Sequence, residues 1–200
     1  PIPPGLAGHD PTLAGYEFDS GKAKRLLAEA KWDLNREIEI ILPSAKETTD
    51  LVNAVADCFR RLGLRVRVSP RERSTFKVLL RQGDFDLYYY SWWADYLDAE
   101  NFLAPLFLST PDRAAGNATG YVNPEVNRLI QAAQREMDEP KRLALYQEIQ
   151  RLVVADAPRI FLWHRKLTIA HQPWVQGCRI YPLYNIAKGT EMRLVWDENQ

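Results

Sequence analysis

The sequence has little cysteine, no excess of either charge and no long apolar run. Its two cysteines, Cys58 and Cys178, are too few for a disulfide framework or a zinc site, and we expect two free, buried thiols. The 26 basic residues balance the 26 acidic ones, so no positive field is present to attract nucleic acid or an anionic membrane. No apolar run reaches the roughly 20 residues that a transmembrane helix needs.

Motifs for common catalytic and cofactor chemistry are absent as well. The three histidines, His9, His164 and His171, do not stand at metal-ligand spacing from one another. The chain contains no glycine-rich phosphate loop, no GxSxG elbow and no HExxH motif. We therefore expect neither a metal nor a cofactor.

The most informative stretch runs from Gly83 to Leu108 and is rich in aromatic residues. A turn at Gly83 leads into residues 85–92, which are nearly all apolar and predict a strand buried on both faces. A loop follows, and residues 99–108 predict a short helix with Asp98 as its N-cap. Ligands of open α/β sheets bind at such loops, which follow the carboxyl ends of strands.

This loop carries Trp92, Trp93 and Tyr96 around one acid, Asp95. Aromatic faces beside an isolated carboxylate suit a ligand that has an amine and an apolar body. The same tryptophans would serve equally as core residues with Asp95 capping a turn. They would also form the platform of a sugar-binding lobe or a carbohydrate-active enzyme, so these alternatives stay open.

The order of predicted elements indicates the fold class. Strands at 37–42, 64–68 and 85–92 alternate with helices at 50–62 and 75–81, which is typical of parallel strands joined by right-handed crossovers. A helix over 22–31, capped by Asp19 or Ser20, precedes them. Two helices over 124–137 and 141–155 each have a proline at the start, and 159–170 predicts a long β-stretch.

Several motifs occur in an order that resembles a known family. They are IPPG at 2–5, Leu62-Gly63-Leu64-Arg65-Val66, Gly83-Asp84-Phe85-Asp86, Trp92…Ala94-Asp95-Tyr96, Asn117…Gly120-Tyr121…Asn123-Pro124-Glu125-Val126, Asp156-Ala157-Pro158 and Pro173-Trp174-Val175…Gly177. Together they resemble the C-terminal part of the extracellular solute-binding proteins of ABC importers, of the oligopeptide-, dipeptide- and nickel-binding type.

The resemblance implies an α/β fold, a type II periplasmic-binding-protein-like lobe with a mixed, mostly parallel sheet and helices on both faces. Residues 1–174 would form this lobe, and 175–200 would return to a first lobe outside the sequence. The implied function is non-catalytic capture of peptides between two lobes, with the importer's membrane subunits as partners. The implied location is extracellular or periplasmic, with a lipid anchor on an absent N-terminus, and the lone lobe would self-associate.

The resemblance also assigns roles to residues. Asp95 would hold the N-terminal ammonium of a peptide, Trp92 would line a side-chain pocket and Trp93 would reshape the neighbouring pocket. Tyr96, together with Tyr89 and Asn117, completes the expected ligand-binding set. Relatives that bind sugars or metal chelates keep an oligosaccharide ligand open as the alternative.

Overall fold

The computed structural model describes residues 1–110, 116–166, 168–179 and 191–195. The helices are α1 (Ser20–Glu29), α2 (Lys46–Arg60), α3 (Arg73–Gln82), α4 (Glu100–Phe107), α5 (Pro124–Ala133) and α6 (Glu139–Asp156), and the strands are β1 (Glu37–Pro43), β2 (Arg65–Arg71), β3 (Leu87–Tyr88), β4 (Val175–Gln176) and β5 (Arg193–Leu194). They form two compact units. We call Ala14–Ser91 with Ser109–Val122 the sheet unit, and Pro1–Leu13, Trp92–Leu108 and Asn123–Gln200 the helical unit.

The sheet unit is built on a three-stranded parallel sheet in the order β2-β1-β3, which confirms the predicted strand–helix alternation. The isoleucine-rich β1 lies in the centre, and Ile41 and Leu42 are fully buried there. One face of β1 packs against Val52 and Ala56 of α2. Branched side chains pack well on a pleated surface, so β1 supplies the core of this unit.

The aromatic strand is shorter and more exposed than expected. β3 has two residues, and Tyr89 adds one backbone hydrogen bond to the oxygen of Ile41 at 2.9 Å. The prediction of a strand over 85–92 buried on both faces is wrong, because β3 is an edge strand of the described sheet and Tyr90 is 44% exposed. An edge strand has one open side, so its aromatic side chains are only partly covered.

The predicted cap of α1 at Asp19 is confirmed, and so is the N-cap at Asn123 that the Asn123-Pro124 pair predicts for α5. The Asp19 carboxylate accepts the backbone N–H of Lys22 at 2.8 Å, and the Asn123 side chain accepts the N–H groups of Glu125 and Val126 at the start of α5. For the helix over 50–62 the sequence predicts Thr48 or Thr49 as the N-cap, and this is wrong, because α2 begins earlier with Ala45 as its N-cap. The Thr49 hydroxyl lies inside the helix and donates to the carbonyl of Ala45, a back-bond that serine and threonine make within helices.

The spacing of apolar residues predicts two helix faces that differ from the structure. The predicted faces are Leu51, Val55, Phe59 and Leu62 for the helix over 50–62, and Ala23, Leu26, Leu27 and Ala30 for the helix over 22–31. The buried residues of α2 are Val52 and Ala56, one position along from the predicted face, so Cys58 is exposed rather than buried. Cys178 is half-buried, and both thiols are free as expected. No residue of α1 is buried, and Leu26 of its predicted stripe is 53% exposed.

In the helical unit, the loop at 1–13 is held against α6. The buried side chain of Gln150 donates to the carbonyl oxygen of Gly8 at 2.7 Å. Asp10 is 5% exposed and lies 3.4 Å from the Arg151 guanidinium. Gly8 has a φ of +91°, a conformation that favours glycine. These contacts order a segment that has no secondary structure of its own.

The β-stretch predicted at 159–170 is wrong for the described residues of that range, which form no strand. Ile160 is 60% exposed and Trp163 is 50% exposed. A strand needs a neighbour to bind its backbone groups, and no described strand lies beside this range. Further along, β4 and β5 form an antiparallel pair. Residues 180–190 and 196–200 of the predicted returning segment lie outside the described residues.

None of the helices described above combines the length and the apolar character that crossing a bilayer requires.

The Gln150 contact yields a stability prediction. Gln150→Met keeps the side-chain volume but removes the donor, which leaves the Gly8 carbonyl buried without its partner, and we expect a loss of about 1–3 kcal/mol in the free energy of unfolding. Urea denaturation followed by circular dichroism measures it. Gln147→Met on the same helix is the control, with a change within about 0.5 kcal/mol. Equal midpoints for the two variants would contradict the role given to Gln150.

Candidate ligand-binding site

The aromatic loop, residues 92–99, is tied to the first turn of α4. The indole N–H of Trp92 donates to the backbone oxygen of Asn101 at 2.8 Å, and the backbone N–H of Asp95 donates to the Asn101 side-chain oxygen at 3.0 Å. Ala94 and Asn101 are each 3% exposed. The loop is therefore a fixed turn, and the polar edge of Trp92 is bonded within the protein.

Two of the three acids near this loop are engaged by neighbouring groups. The Asp98 carboxylate accepts the N–H of Glu100 at 2.8 Å and the hydroxyl of Tyr146 at 2.9 Å. Glu100 accepts the side-chain amide of Gln134 at 2.7 Å and also the hydroxyl of Tyr96. The prediction of Asp98 as the N-cap is wrong, because Ala99 holds that position of α4 and makes no side-chain cap bond. Asp98, one residue earlier, still accepts the N–H of Glu100, so both acids have structural partners.

Asp95 differs from those two acids. Its side chain is exposed, and within the part of the chain that the structure describes no hydrogen bond or salt bridge engages its carboxylate. Its backbone is nevertheless fixed by the bond to Asn101. An exposed, unengaged carboxylate on a fixed turn beside aromatic rings is suited to bind an amine or ammonium group.

The tyrosines of this network are held in the protonated form. The hydrogen bond to Glu100 raises the pKa of Tyr96, and burial raises the pKa of Tyr146, with a further contribution from the Asp98 carboxylate. Both hydroxyl groups therefore stay donors at neutral pH. They lower the acceptor capacity of Asp98 and Glu100 and leave that of Asp95 untouched.

Four of the six predicted site residues lie in this one loop, namely Trp92, Trp93, Asp95 and Tyr96. Trp93 is half-buried there. The other two belong to the sheet unit. Tyr89 is partly buried and packs against the cluster around β1. Asn117 is 4% exposed, and its side chain bonds both backbone groups of Tyr121, so it holds a turn. Ligand binding by any of the six stays a prediction.

Sequence reasoning missed the residues that hold the loop. Asn101 had a visible signal, because it is a polar residue directly before the apolar run FLAPLF. Gln134 and Tyr146 had none, since their partners are 34 and 48 residues away along the chain. Among the described residues, no group of three or more histidine, cysteine, aspartate and glutamate side chains is arranged to hold a metal ion.

Tyr146 yields a prediction on pH dependence. Its raised pKa means that the folded protein holds the proton more tightly than an unfolded tyrosine, whose pKa is about 10. The protonated Tyr146 therefore adds to the free energy of unfolding at pH values below about 10, and this contribution is lost as the pH rises further. Tyr146→Phe should lower the free energy of unfolding by about 1 kcal/mol at neutral pH. In alkaline solution the stability of this variant should fall less steeply than that of the parent protein.

Urea denaturation in mildly and strongly alkaline buffer measures this difference. Tyr16→Phe, at a tyrosine that is 64% exposed, is the matched control and should keep the alkaline loss of the parent protein. An alkaline loss in Tyr146→Phe as large as in the parent would contradict the assignment.

Comparison with known proteins places the chain in a family. Residues 1–114 match the model described as Bacterial extracellular solute-binding proteins, family 5 Middle. The chain is 28% identical over 188 residues to the "Probable D,D-dipeptide-binding periplasmic protein" of Escherichia coli (strain K12). That alignment covers 92% of this chain and 36% of the relative, so the chain spans about a third of its relative's length.

The fold of this chain is also similar to that of solved periplasmic binding proteins. A dipeptide-binding protein from Pseudoalteromonas sp. SM9913, in complex with Met-Leu, superposes with a TM-score of 0.71 at 25% identity, covering 78% of this chain and 32% of that one. An ABC transporter-associated periplasmic binding protein from Helicobacter pylori, in complex with the peptide STSA, has a TM-score of 0.80 at 23% identity, covering 96% and 38%. The expected type II periplasmic-binding-protein-like α/β fold is thus confirmed.

The family model extends over more than half of the 200 residues, and its match includes the sheet unit's three strands and the aromatic loop. The chain belongs to the bacterial extracellular solute-binding proteins of family 5.

Proposed function

We propose that this chain is part of the non-catalytic solute-binding component of an ABC uptake system, and that it captures dipeptides or oligopeptides by their N-terminal ammonium group at Asp95. The observation that carries the proposal is the exposed, unengaged carboxylate of Asp95 on a fixed aromatic turn whose other two acids are already hydrogen-bonded. Two relatives are named for dipeptide binding, the probable D,D-dipeptide-binding protein of Escherichia coli and the Pseudoalteromonas protein in complex with Met-Leu, and their names support the same ligand class.

The strength of such a contact depends on the exclusion of water. A hydrogen bond that involves a charged group contributes about 1.5–3 kcal/mol when it is well formed. Asp95 is exposed in this chain, so the full contribution requires a second surface that closes over the ligand. Closure of two lobes around a hinge is a known way to cover a bound solute, and the closed form is then the state that a membrane partner recognises.

The rest of the peptide would be recognised with little sequence preference. Its backbone brings its own donors and acceptors, which a strand edge or water molecules satisfy. Trp92 and Tyr96 supply apolar walls beside Asp95, while Trp93 narrows the adjacent space. The side chains of different peptides would then be accommodated in wide pockets.

The same proposal covers the domain arrangement. Residues 1–174 would form one lobe of a two-lobe protein, and residues 175–200 would return to the other lobe. Support comes from the exposed apolar stretch at 160–163 and from relatives about three times as long as this chain. The mature protein would act outside the cytoplasmic membrane, in the periplasm or at the cell surface, held there by a lipid on a segment that precedes this sequence.

The role of Asp95 predicts a specific loss of affinity. In the full-length protein, Asp95→Asn should weaken the binding of a free tripeptide by about 10- to 100-fold, which corresponds to the lost charge-assisted contact. Binding of the same tripeptide with an acetylated N-terminus should be weak in the parent protein and unchanged by the substitution. Isothermal titration calorimetry with trialanine and N-acetyl-trialanine measures both.

Asp84→Asn is the matched control, because it removes the same charge from an exposed acid outside the loop. It should bind both peptides like the parent protein. Undiminished trialanine binding by Asp95→Asn, with the circular dichroism spectrum intact, would refute the assignment of Asp95.

The two-lobe account predicts how the isolated 200-residue chain behaves. Without the second surface it should bind trialanine with a dissociation constant weaker than about 1 µM. Its exposed apolar residues Ile160 and Trp163 should cause self-association, measured by sedimentation, which Ile160→Ser combined with Trp163→Ser reduces. Tight peptide binding by a monomeric isolated chain would contradict this account.

A further inference from the structure

Asn101 is a buried polar residue on the first turn of α4, only 3% exposed. A buried amide is costly unless its polar atoms are hydrogen-bonded, so its partners indicate what it does. Its two oxygens bond two different parts of the aromatic loop, the backbone at Asp95 and the indole of Trp92.

The two bonds depend on the residue type in different ways. The bond to Trp92 is accepted by the backbone oxygen, which any residue at this position would supply. The bond to Asp95 is accepted by the side-chain oxygen, which a leucine or alanine would not supply. The identity of residue 101 therefore matters for the backbone of Asp95 and leaves the Trp92 contact in place.

The direction of a short side chain follows its backbone. An aspartate has two side-chain torsions, so fixing the backbone N–H of Asp95 restricts the cone into which its carboxylate points. Asn101 also provides an acceptor without adding a negative charge beside Asp98 and Glu100, which an aspartate there would do. An asparagine thus combines the required acceptor with the required neutrality.

We propose that Asn101 is the positioning residue of the ammonium site, which aims the Asp95 carboxylate at the terminal amine of the ligand. This inference rests on the peptide-binding function proposed above and adds a residue that sets its specificity for a free N-terminus. Asn101 acts through Asp95 and does not itself touch the peptide.

The test measures the preference for a free over an acetylated N-terminus. In the full-length protein, the ratio of the dissociation constants of N-acetyl-trialanine and trialanine is determined for the parent and for Asn101→Leu, which keeps the side-chain shape. The ratio should fall roughly fivefold or more, as expected for coupled neighbours, while the affinity for N-acetyl-trialanine stays within about twofold. Asn101→Ala repeats the test should the leucine variant not fold.

Two further variants separate positioning from a merely structural role. Leu103→Ala, at a residue of α4 that is 1% exposed, should lower the thermal stability and leave the ratio unchanged. In an Asp95→Asn background, Asn101→Leu should change the ratio no further. An equal weakening of both peptides by Asn101→Leu, or an unchanged ratio, would overturn the inference.

The failure of this inference differs from a failure of the proposed function. If Asp95→Asn itself leaves the ratio of the parent protein intact, the ammonium anchor is wrong. If Asp95→Asn abolishes the preference while Asn101→Leu retains it, the anchor stands and only the positioning role is overturned.

Discussion

A carboxylate that makes no hydrogen bond within its own protein has both oxygens available to an amine, and of the three acids in and beside the aromatic loop this holds, among the described residues, for one. Asp98 accepts a helix N–H and a tyrosine hydroxyl, and Glu100 accepts an amide and a second tyrosine hydroxyl. Asp95 is exposed, and among the described residues its hydrogen bonding is confined to the backbone. Asp95 is therefore the acid of the three that we propose as the ammonium site.

The hydrogen bonds around the aromatic loop lie within the helical unit, and the sheet unit has a core of its own. In the helical unit, α6 supplies Tyr146 to Asp98, and α5 supplies Gln134 to Glu100, so the packing of two distant helices fixes the chemistry of the loop. In the sheet unit, the buried parallel strand β1 supplies the core, while the aromatic strand β3 lies at an edge. The aromatic side chains at 88–90 are consequently only partly covered.

Local sequence signals predicted the fold class well, because they act over a few residues. The alternation in β1, the caps at Asp19 and Asn123 and the order of strands and helices are short-range features, and the structure contains them. Features that depend on distant partners were predicted poorly. The β-stretch at 159–170 lacks a described neighbouring strand, and α1 has no buried face, although both sequences have the expected pattern.

The candidate site shows the same difference between local features and features that depend on distant residues. Its aromatic residues and its acids could be located from the sequence, because they are contiguous in the chain. Which of the three acids is available could not, since Tyr146 and Gln134 engage the others from 48 and 34 residues away. The resemblance of the Trp92…Ala94-Asp95-Tyr96 motif selects Asp95, and its ligand-binding role stays a prediction.

The most direct measurement of the central claim is the intrinsic tryptophan fluorescence of the full-length protein, titrated with free peptides, N-acetylated peptides and oligosaccharides. Trp92 and Trp93 flank the proposed ammonium site, so occupation of that site should change their emission. The account predicts a spectral shift with free peptides that is lost when their N-termini are acetylated. A shift with oligosaccharides alone would contradict it and would move the binding site to the tryptophans themselves.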